Sequence, residues 1–150
     1  MGITMQNHGG YTETYDNFPE NYYKVGRSYT DANQYLSLVH ESDEAVKNLI
    51  SYFSKVDDPV EIIFFGDHQP SLNSNFYPIL NGKGLTGLTE DELEKLYTVP
   101  FFIWTNYDTP EETVDITSLD YLSTMALERA GIELPAYNKF LADMQEVVPA

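Results

Sequence analysis

The feature that most constrains the fold of this chain is an apolar run that ends abruptly in a carboxylate and an imidazole. Residues 60–65 read VEIIFF, and Gly66, Asp67 and His68 follow them directly. A nearly continuous apolar run of this length is typical of a strand covered on both faces, as in parallel sheets. Because Gly66 is free to supply a turn, Asp67 and His68 can both serve one site just beyond the strand.

Three helices are predicted from local patterns. Apolar residues at spacings of three and four indicate an amphipathic helix over residues 30–55. Residues 89–92, TEDE, match a capping box and predict a short helix that begins there. A further helix, capped by Thr117 with Asp120, is expected to run to Ala130 and to stop at Gly131, because glycine commonly follows the last residue of a helix.

The remaining segments predict strands and one long loop. Residues 99–104, VPFFIW, predict a second buried strand, while residues 2–6 and 113–116 are compatible with short extended pieces. Residues 11–29, interrupted by Pro and Gly, predict a long loop. This alternation of strands and helices predicts an α/β fold with a mostly parallel sheet. In open sheets of that class, ligands bind beyond the carboxyl ends of the strands.

The charge balance excludes some classes of partner. The chain has 24 acidic and 8 basic residues, a formal net charge of -16. Nucleic acid is excluded as a partner, because phosphate backbones are bound by clustered Lys and Arg. An anionic substrate would need a local positive charge, which a divalent cation can supply. Cysteine is absent, so thiolate ligands and cysteine nucleophiles are excluded as well.

Asp67 and His68 are the candidate metal ligands. A carboxylate oxygen and an imidazole nitrogen suit Zn, Mn or Mg to differing degrees. The residues alone leave a second interpretation open, in which Asp67 caps the following turn and His68 is an ordinary surface residue. A Gly-Asp-His tripeptide is too short to decide between the two.

His8 is the candidate contact to an anionic substrate. It lies in the sequence NHGG at residues 7–10, a second junction between a predicted strand and a loop. Glycines at positions 9 and 10 let the backbone approach a ligand closely. Alone, His8 reads equally as a turn residue, but two such junctions at one edge of a sheet predict a shared site.

Other polar and aromatic residues give weaker signals. His40 falls on the predicted long helix and receives no role, and residues 90–94 read as a solvated acidic helix face. Several loop tyrosines could form a sugar-binding or lipid-facing surface, or simply cover the edge of the core: Tyr11, Tyr15, Tyr22, Tyr23 and Tyr29. The chain contains no nucleophile-elbow serine motif, Walker lysine loop or dinucleotide-binding glycine motif.

The sequence contains four motifs in a characteristic order: ITMQNHGGY at 3–11, the segment 35–45, FFGDHQP at 64–70 and VPFFIW at 99–104. Together they resemble the carboxyl-terminal part of the lipoteichoic acid synthase-like, sulfatase-type enzymes of the alkaline phosphatase superfamily. The endings at residues 115–121 and 130–135 are similar to the last helix of that family, so the resemblance extends over nearly the whole chain.

The resemblance implies an alkaline phosphatase-like, three-layer α/β sandwich with a mostly parallel central sheet. Residues 1–150 would form the carboxyl-terminal portion of a sulfatase-like catalytic domain, carried by a membrane-anchored parent on the extracellular face of the cell membrane. Asp67 and His68 would bind a divalent metal, usually manganese, with magnesium and zinc as alternatives, and His8 would contact the substrate phosphate. The family reaction moves phosphoglycerol from a lipid headgroup onto a polymer or glycan through a phospho-threonine intermediate.

This sequence departs from the family pattern at its start. The nucleophilic threonine and a further acidic ligand of the family precede the His8 motif, so no catalytic residue is transferred to this chain. We therefore expect an inactive fragment that binds metal weakly or not at all, whose partner is the amino-terminal half of the same enzyme. A sulfatase or phosphonate hydrolase fragment and a non-catalytic binding module are the alternatives. An exposed sheet edge is expected to favour self-association.

Overall fold

The computed structural model describes residues 2, 4–13, 15–18, 20 and 29–149. The chain divides into two compact units. The first contains Met1–Tyr52 and Gly66–Pro100, and the second contains Phe53–Phe65 and Phe101–Ala150. All three candidate site residues lie in the first unit.

The long helix α1, Thr30–Phe53, dominates the first unit. The predicted helix over residues 30–55 is confirmed, and it ends two residues early, ahead of the turn-forming residues 57–59. Its amino-terminal half carries the buried face, on which Ala32 and Gln34 are 1% and 3% exposed. The predicted amphipathic helix is therefore buried mainly in its amino-terminal half.

Residues 66–100 form a segment of short helices. Helix α2, Tyr77–Asn81, was not predicted from the sequence, and Gly82 follows it with a φ of 73°. A 3-10 turn, Leu85–Gly87, leads to helix α3, Glu90–Glu94. The predicted capping box is confirmed, because Thr89 accepts from the Glu92 amide while the Glu92 carboxylate accepts from the Thr89 amide.

The second unit contains two of the predicted strands, β1 at Glu61–Phe65 and β2 at Phe101–Thr105. They pair antiparallel, with Glu61 opposite Thr105 and Phe65 opposite Phe101. The predicted mostly parallel sheet is therefore not what the described residues form. Parallel pairing needs a crossover that returns the chain to the start of the first strand. Here the chain returns beside the end of β1.

The covered faces predicted for the apolar run are also not observed within this chain. Ile63, Phe64 and Phe65 are 40%, 39% and 42% exposed. Phe64 stacks on Phe102 of β2, with ring centroids 5.2 Å apart. The cross-strand aromatic pair stabilises the ribbon, while much of its apolar surface faces solvent.

The shorter extended pieces predicted at residues 2–6 and 113–116 form no strand in the described part of the chain. Ile3 lies outside the described residues, and the remainder pairs with no second strand that the structure describes. In the predicted long loop, Thr14, Pro19 and residues 21–28 also lie outside the description. Tyr15 and Phe18 form an isolated antiparallel bridge there.

The side chain of Asn106 holds the chain segment between α1 and β1 in place. Its side-chain Oδ1 accepts from the Val60 amide at 2.7 Å. Its Nδ2 donates to the carbonyls of Phe53, Val56 and Asp58 at 3.2, 2.9 and 2.9 Å. One side chain thus satisfies four backbone groups between α1 and β1.

The cap of the third predicted helix is shifted by one residue. Ser118, rather than Thr117, accepts from the Asp120 amide and begins a 3-10 turn, Leu119–Tyr121, which continues into helix α4, Leu122–Arg129. Serine is at least as good a cap as threonine, so the neighbouring residue takes the position.

The predicted helix end at Gly131 is confirmed. Gly131 has a φ of 67°, and its amide donates to the Glu128 carbonyl at 3.0 Å. The next amide, of Ile132, donates to the Leu127 carbonyl at 2.9 Å. These two bonds form a Schellman motif, in which the left-handed residue is usually glycine.

A further helix, α5 at Ala136–Gln145, was not predicted from the sequence. It packs beside α4, where Asn138 donates to Thr124 Oγ1 at 3.0 Å and to Ser123 Oγ at 3.1 Å. Leu141 is 7% exposed, while Tyr137 and Phe140 on the same helix are 66% and 56% exposed. The helix therefore buries Asn138 together with Leu141 and leaves two aromatic side chains exposed.

Among the described residues, none of the helices combines the length and the apolar composition that a membrane crossing requires.

Candidate functional site

The loop that carries His8 is held in place by Asn7. The Tyr11 hydroxyl donates to the Asn7 carbonyl at 2.6 Å, and Ser42 of α1 donates to Asn7 Oδ1 at 3.2 Å. The His8 amide donates to the Met5 carbonyl at 3.1 Å, which closes a turn. The His8 ring therefore projects from an anchored loop.

Tyr11 ties the same loop to the aromatic side of α1. It is 7% exposed, and its ring meets that of Tyr35 edge to face, with centroids 5.4 Å apart. Burial raises the pKa of the Tyr11 phenol, and Tyr35 adds to the shift. Tyr11 therefore stays protonated and supports the loop as a packed hydrogen-bond donor.

The loop after β1 is fixed where it begins. The Gly66 amide donates to the Pro100 carbonyl at 3.2 Å. A Cβ at position 66 would lie 3.2 Å from Val99 Cβ, so glycine permits this close approach of two backbones. Asp67 and His68 therefore start from a defined point.

Asp67 and His68 turn toward each other. Asp67 Oδ1 accepts from the His68 amide at 2.9 Å, and Oδ2 lies 3.6 Å from His68 Nε2. His68 Nδ1 lies 2.9 Å from the Gln69 carbonyl oxygen, which can only accept. In a neutral ring, the tautomer with the proton on Nδ1 satisfies this contact and leaves the Nε2 lone pair facing Asp67 Oδ2.

The pair of atoms Asp67 Oδ2 and His68 Nε2 fits a shared metal ion. Two ligands about 2.1 Å from a tetrahedral ion are separated by about 3.4 Å, close to the observed 3.6 Å. The side chains are 84% and 63% exposed, so an ion can reach them. Within the described ranges, no group of three or more His, Asp or Glu residues is arranged to hold a metal, so the candidate metal site there consists of Asp67 and His68.

The structure brings His8 to this pair. The rings of His8 and His68 meet edge to face, with centroids 6.4 Å apart and an interplanar angle of 81°. The geometric reason differs from the one expected, because β1 and β2 are antiparallel and the site does not lie at the carboxyl ends of parallel strands. The proximity was anticipated, whereas the topology behind it was not.

Of the weaker sequence signals, Tyr11 supports the loop that carries His8. Tyr22 and Tyr23 lie outside the described residues, and His40 lies within α1. Lys83, which precedes α3 in the sequence, lies 2.7 Å from the carboxylate of Glu92 on that helix. The Lys83 hydrogen bond and the Thr89 amide lower the pKa of Glu92 to about 2. This acidic face therefore has a structural role at the helix start.

Sequence reasoning missed Gln69. Its side-chain amide donates to the Thr98 carbonyl, and its own carbonyl accepts from His68. The partner is separated by 29 residues, so no local pattern marks the contact.

Comparison with known proteins gives one family and two relatives. The Sulfatase family model matches residues 1–132. The chain is 28% identical over 154 residues to a putative cyclic beta-1,2-glucan modification protein of Rhizobium meliloti (strain 1021), covering 97% of this chain and 24% of that protein. It is 41% identical over 51 residues to the capsular polysaccharide biosynthesis protein RkpI of the same strain, covering 34% of this chain and 10% of that protein. No solved structure matches the chain at a significant level.

Proposed function

Because this chain belongs to the sulfatase family, we propose that it is the carboxyl-terminal part of a metal-dependent phosphoglycerol transferase of the lipoteichoic acid synthase-like kind. Family membership implies an alkaline phosphatase-like α/β fold, of which the described helices and strands are a part. The substrates would be phosphodiesters in lipids or polymers. The parent enzyme would act at the outer face of the cell membrane.

One observation carries the proposal, which is the convergence of three side chains on one exposed point. Asp67 Oδ2 and His68 Nε2 lie 3.6 Å apart, and the His8 ring centroid lies 6.4 Å from that of His68. A carboxylate, an imidazole lone pair and a second imidazole in this arrangement suit a cation and a phosphate held side by side.

The donor set supports a divalent ion, with manganese as our choice and magnesium or zinc as alternatives. Asp67 and His68 would hold the ion through Oδ2 and Nε2. Such an ion, when bound, neutralises charge on phosphoryl oxygens and lowers the pKa of an attacking hydroxyl. With a net charge of -16, the chain needs this local positive charge to accept an anionic group at all.

His8 would act directly on the substrate. Its exposed ring can donate a hydrogen bond to a phosphate oxygen, which holds the phosphorus in position for attack. A protonated His8 can also give its proton to the departing alkoxide, which leaves as an alcohol. Asn7 and Tyr11 keep the loop that carries His8 in place during either role.

The nucleophile and the remaining metal ligands would come from the amino-terminal half of the same enzyme. The chain spans about a quarter of the first relative and a tenth of the second, which supports such a division. Two protein ligands bind a metal weakly, so this chain alone should show weak ion binding and no turnover.

The acceptor would be a glycan or a polymer. One relative is named for modifying a cyclic beta-1,2-glucan and the other for capsular polysaccharide biosynthesis. These names favour transfer onto a saccharide over release to water by a sulfatase or phosphonate hydrolase. A non-catalytic binding module is the other candidate, favoured by the presence of only two ligands among the described residues.

Titration of the chain with Mn²⁺, followed by electron paramagnetic resonance, tests the proposal. The wild type should bind the ion in the millimolar range, while Asp67→Ala and His68→Ala should not. Asp57→Ala and His40→Ala are matched controls that should behave like the wild type. Equal binding by all five proteins would refute the site and leave the binding module.

A further inference from the structure

Gln69 uses two of its polar groups to connect His68 to a distant part of the first unit. Its backbone carbonyl accepts from His68 Nδ1 at 2.9 Å. Its side-chain amide donates to the Thr98 carbonyl, 29 residues away in the sequence. Gln69, whose carbonyl accepts the hydrogen bond from His68, is therefore itself held in place by Thr98.

The hydrogen bond from Gln69 to Thr98 is one of two that flank the Asp67–His68 pair. On the amino-terminal side, the Gly66 amide donates to the Pro100 carbonyl at 3.2 Å. On the carboxyl-terminal side, Gln69 holds Thr98. Asp67 and His68 lie between two attachments to the same segment, so their backbone is restrained at both ends although their side chains are exposed.

We propose that Gln69 is a positioning residue that sets the tautomer and orientation of His68, so that Nε2 presents its lone pair beside Asp67 Oδ2. The link to metal binding rests on the proposed function, whereas the link to the tautomer does not. Without the Thr98 attachment, the peptide carbonyl of Gln69 is free to rotate away from Nδ1. The ring then loses the bond that selects its proton position.

The tautomer provides a sharp readout, because free neutral histidine in water prefers the proton on Nε2. In our proposal, the hydrogen bond to the Gln69 carbonyl imposes the opposite form on His68, although Asp67 Oδ2 would accept from a proton on Nε2. Mutation of a residue that hydrogen-bonds to a metal-binding histidine commonly changes the metal affinity by about 10- to 100-fold. The position of the proton on the His68 ring and the affinity for the metal can therefore be measured independently.

The experiment uses ¹⁵N-labelled chain and long-range ¹H–¹⁵N spectra at mildly alkaline pH. The chain has three histidines, so each ring is resolved and the other two serve as internal references. Wild-type His68 should carry its proton on Nδ1. Gln69→Met, which keeps the side-chain length without the donor, should shift His68 to the Nε2–H form and weaken Zn²⁺ binding about 10-fold.

Two further variants separate positioning from general stability. Gln69→Lys restores a donor within reach of the Thr98 carbonyl and should restore the Nδ1–H form. Gln145→Met removes a comparable bond in the second unit, from Gln145 to Thr117 Oγ1, and should leave His68 unchanged. An unperturbed amide spectrum outside the loop verifies that each variant is folded.

The outcomes distinguish this inference from the proposed function. A Gln69→Met chain that keeps the Nδ1–H tautomer overturns the role of Gln69, even if Zn²⁺ still shifts the His68 Nε2 signal of the wild type. A tautomer change in Gln69→Met supports the role of Gln69. If Asp67→Ala then takes up Zn²⁺ as well as the wild type does, the metal function alone fails.

Discussion

The imidazoles of His8 and His68 form an edge-to-face pair whose centroids are 6.4 Å apart, although they belong to two loops that are remote in the sequence. The first loop is anchored through Asn7 to Ser42 of α1, and the second through Gln69 to Thr98. Two separately anchored loops can hold a small anion between them without either ring being buried. The arrangement assigns different tasks to the two histidines, which separate variants can test.

Substitution of His8 should affect phosphate binding and leave metal binding intact. His8→Asn removes the imidazole but leaves the proposed ligands Asp67 and His68 in place. The Mn²⁺ affinity of the variant should therefore match that of the wild type. Binding of glycerol phosphate to the Mn²⁺-loaded chain, measured by ³¹P line broadening, should weaken about 10- to 100-fold, the effect of one lost charged hydrogen bond. His40→Asn is the control. Loss of Mn²⁺ binding in His8→Asn would show that His8 is a ligand, contrary to this assignment.

Asn106 should be a major source of stability in the second unit. Asn106→Ala leaves one amide and three carbonyls without their side-chain partner, and we expect the free energy of unfolding in urea to fall by about 2 to 3 kcal/mol. The exposed Asn48→Ala should change it little. Asn106→Asp keeps the acceptor for Val60 but turns a carboxylate toward the three carbonyls, so it should be at least as destabilising as alanine at neutral pH. An aspartate variant as stable as the wild type would contradict the hydrogen-bond assignment.

Gly131 should be required for its backbone conformation alone. Its φ is 67°, and no atom lies within 4 Å of a Cβ built there, so Gly131→Ala adds strain without a steric clash. The expected loss is about 1 to 2 kcal/mol in urea unfolding. Gly84 is the matched control, with equally open space and an extended backbone at φ -71°. Gly84→Ala should stabilise by about 0.5 kcal/mol. Equal effects at the two positions would argue against backbone strain.

The start of α3 should weaken in acid. Lys83 and the Thr89 amide lower the pKa of Glu92 from 4.5 to about 2, so the folded carboxyl is more acidic than the unfolded one. Its stabilising contribution is present above the unfolded value and is lost as the pH falls from about 4.5 toward 2. The ¹³C shift of the Glu92 carboxyl should report this titration. In Lys83→Met the midpoint should move up toward 4.5, whereas Lys95→Met should not move it. A wild-type midpoint already near the ordinary value would disprove the pairing.

Local sequence patterns predicted the elements that depend on local physics. The helix over residues 30–55, the two apolar strands, the Thr89 capping box and the Gly131 helix end all follow from spacing, capping or backbone freedom within a few residues. Strand direction is different, because it depends on where the chain returns after residues 66–100. Helix α5 was not predicted, and its buried face combines Asn138 with Leu141 while Tyr137 and Phe140 stay exposed.

The candidate site was predicted in part for a related reason. Asp67, His68 and His8 have side chains whose chemistry is readable from the sequence, and the strand-to-loop junctions indicated that they would meet. Gln69 carries no such chemistry, and its contact with Thr98 arises only after the chain has folded. Supporting residues of this kind are found by tracing hydrogen bonds outward from a candidate ligand.

The segment that bears Asp67 and His68 starts and ends at residues joined by a hydrogen bond, from Gly66 to Pro100. Directly before and after it, Phe65 and Phe101 are paired across the antiparallel strands. The entry and exit points of residues 66–100 are therefore fixed next to each other, and their separation does not depend on the length of the chain between them.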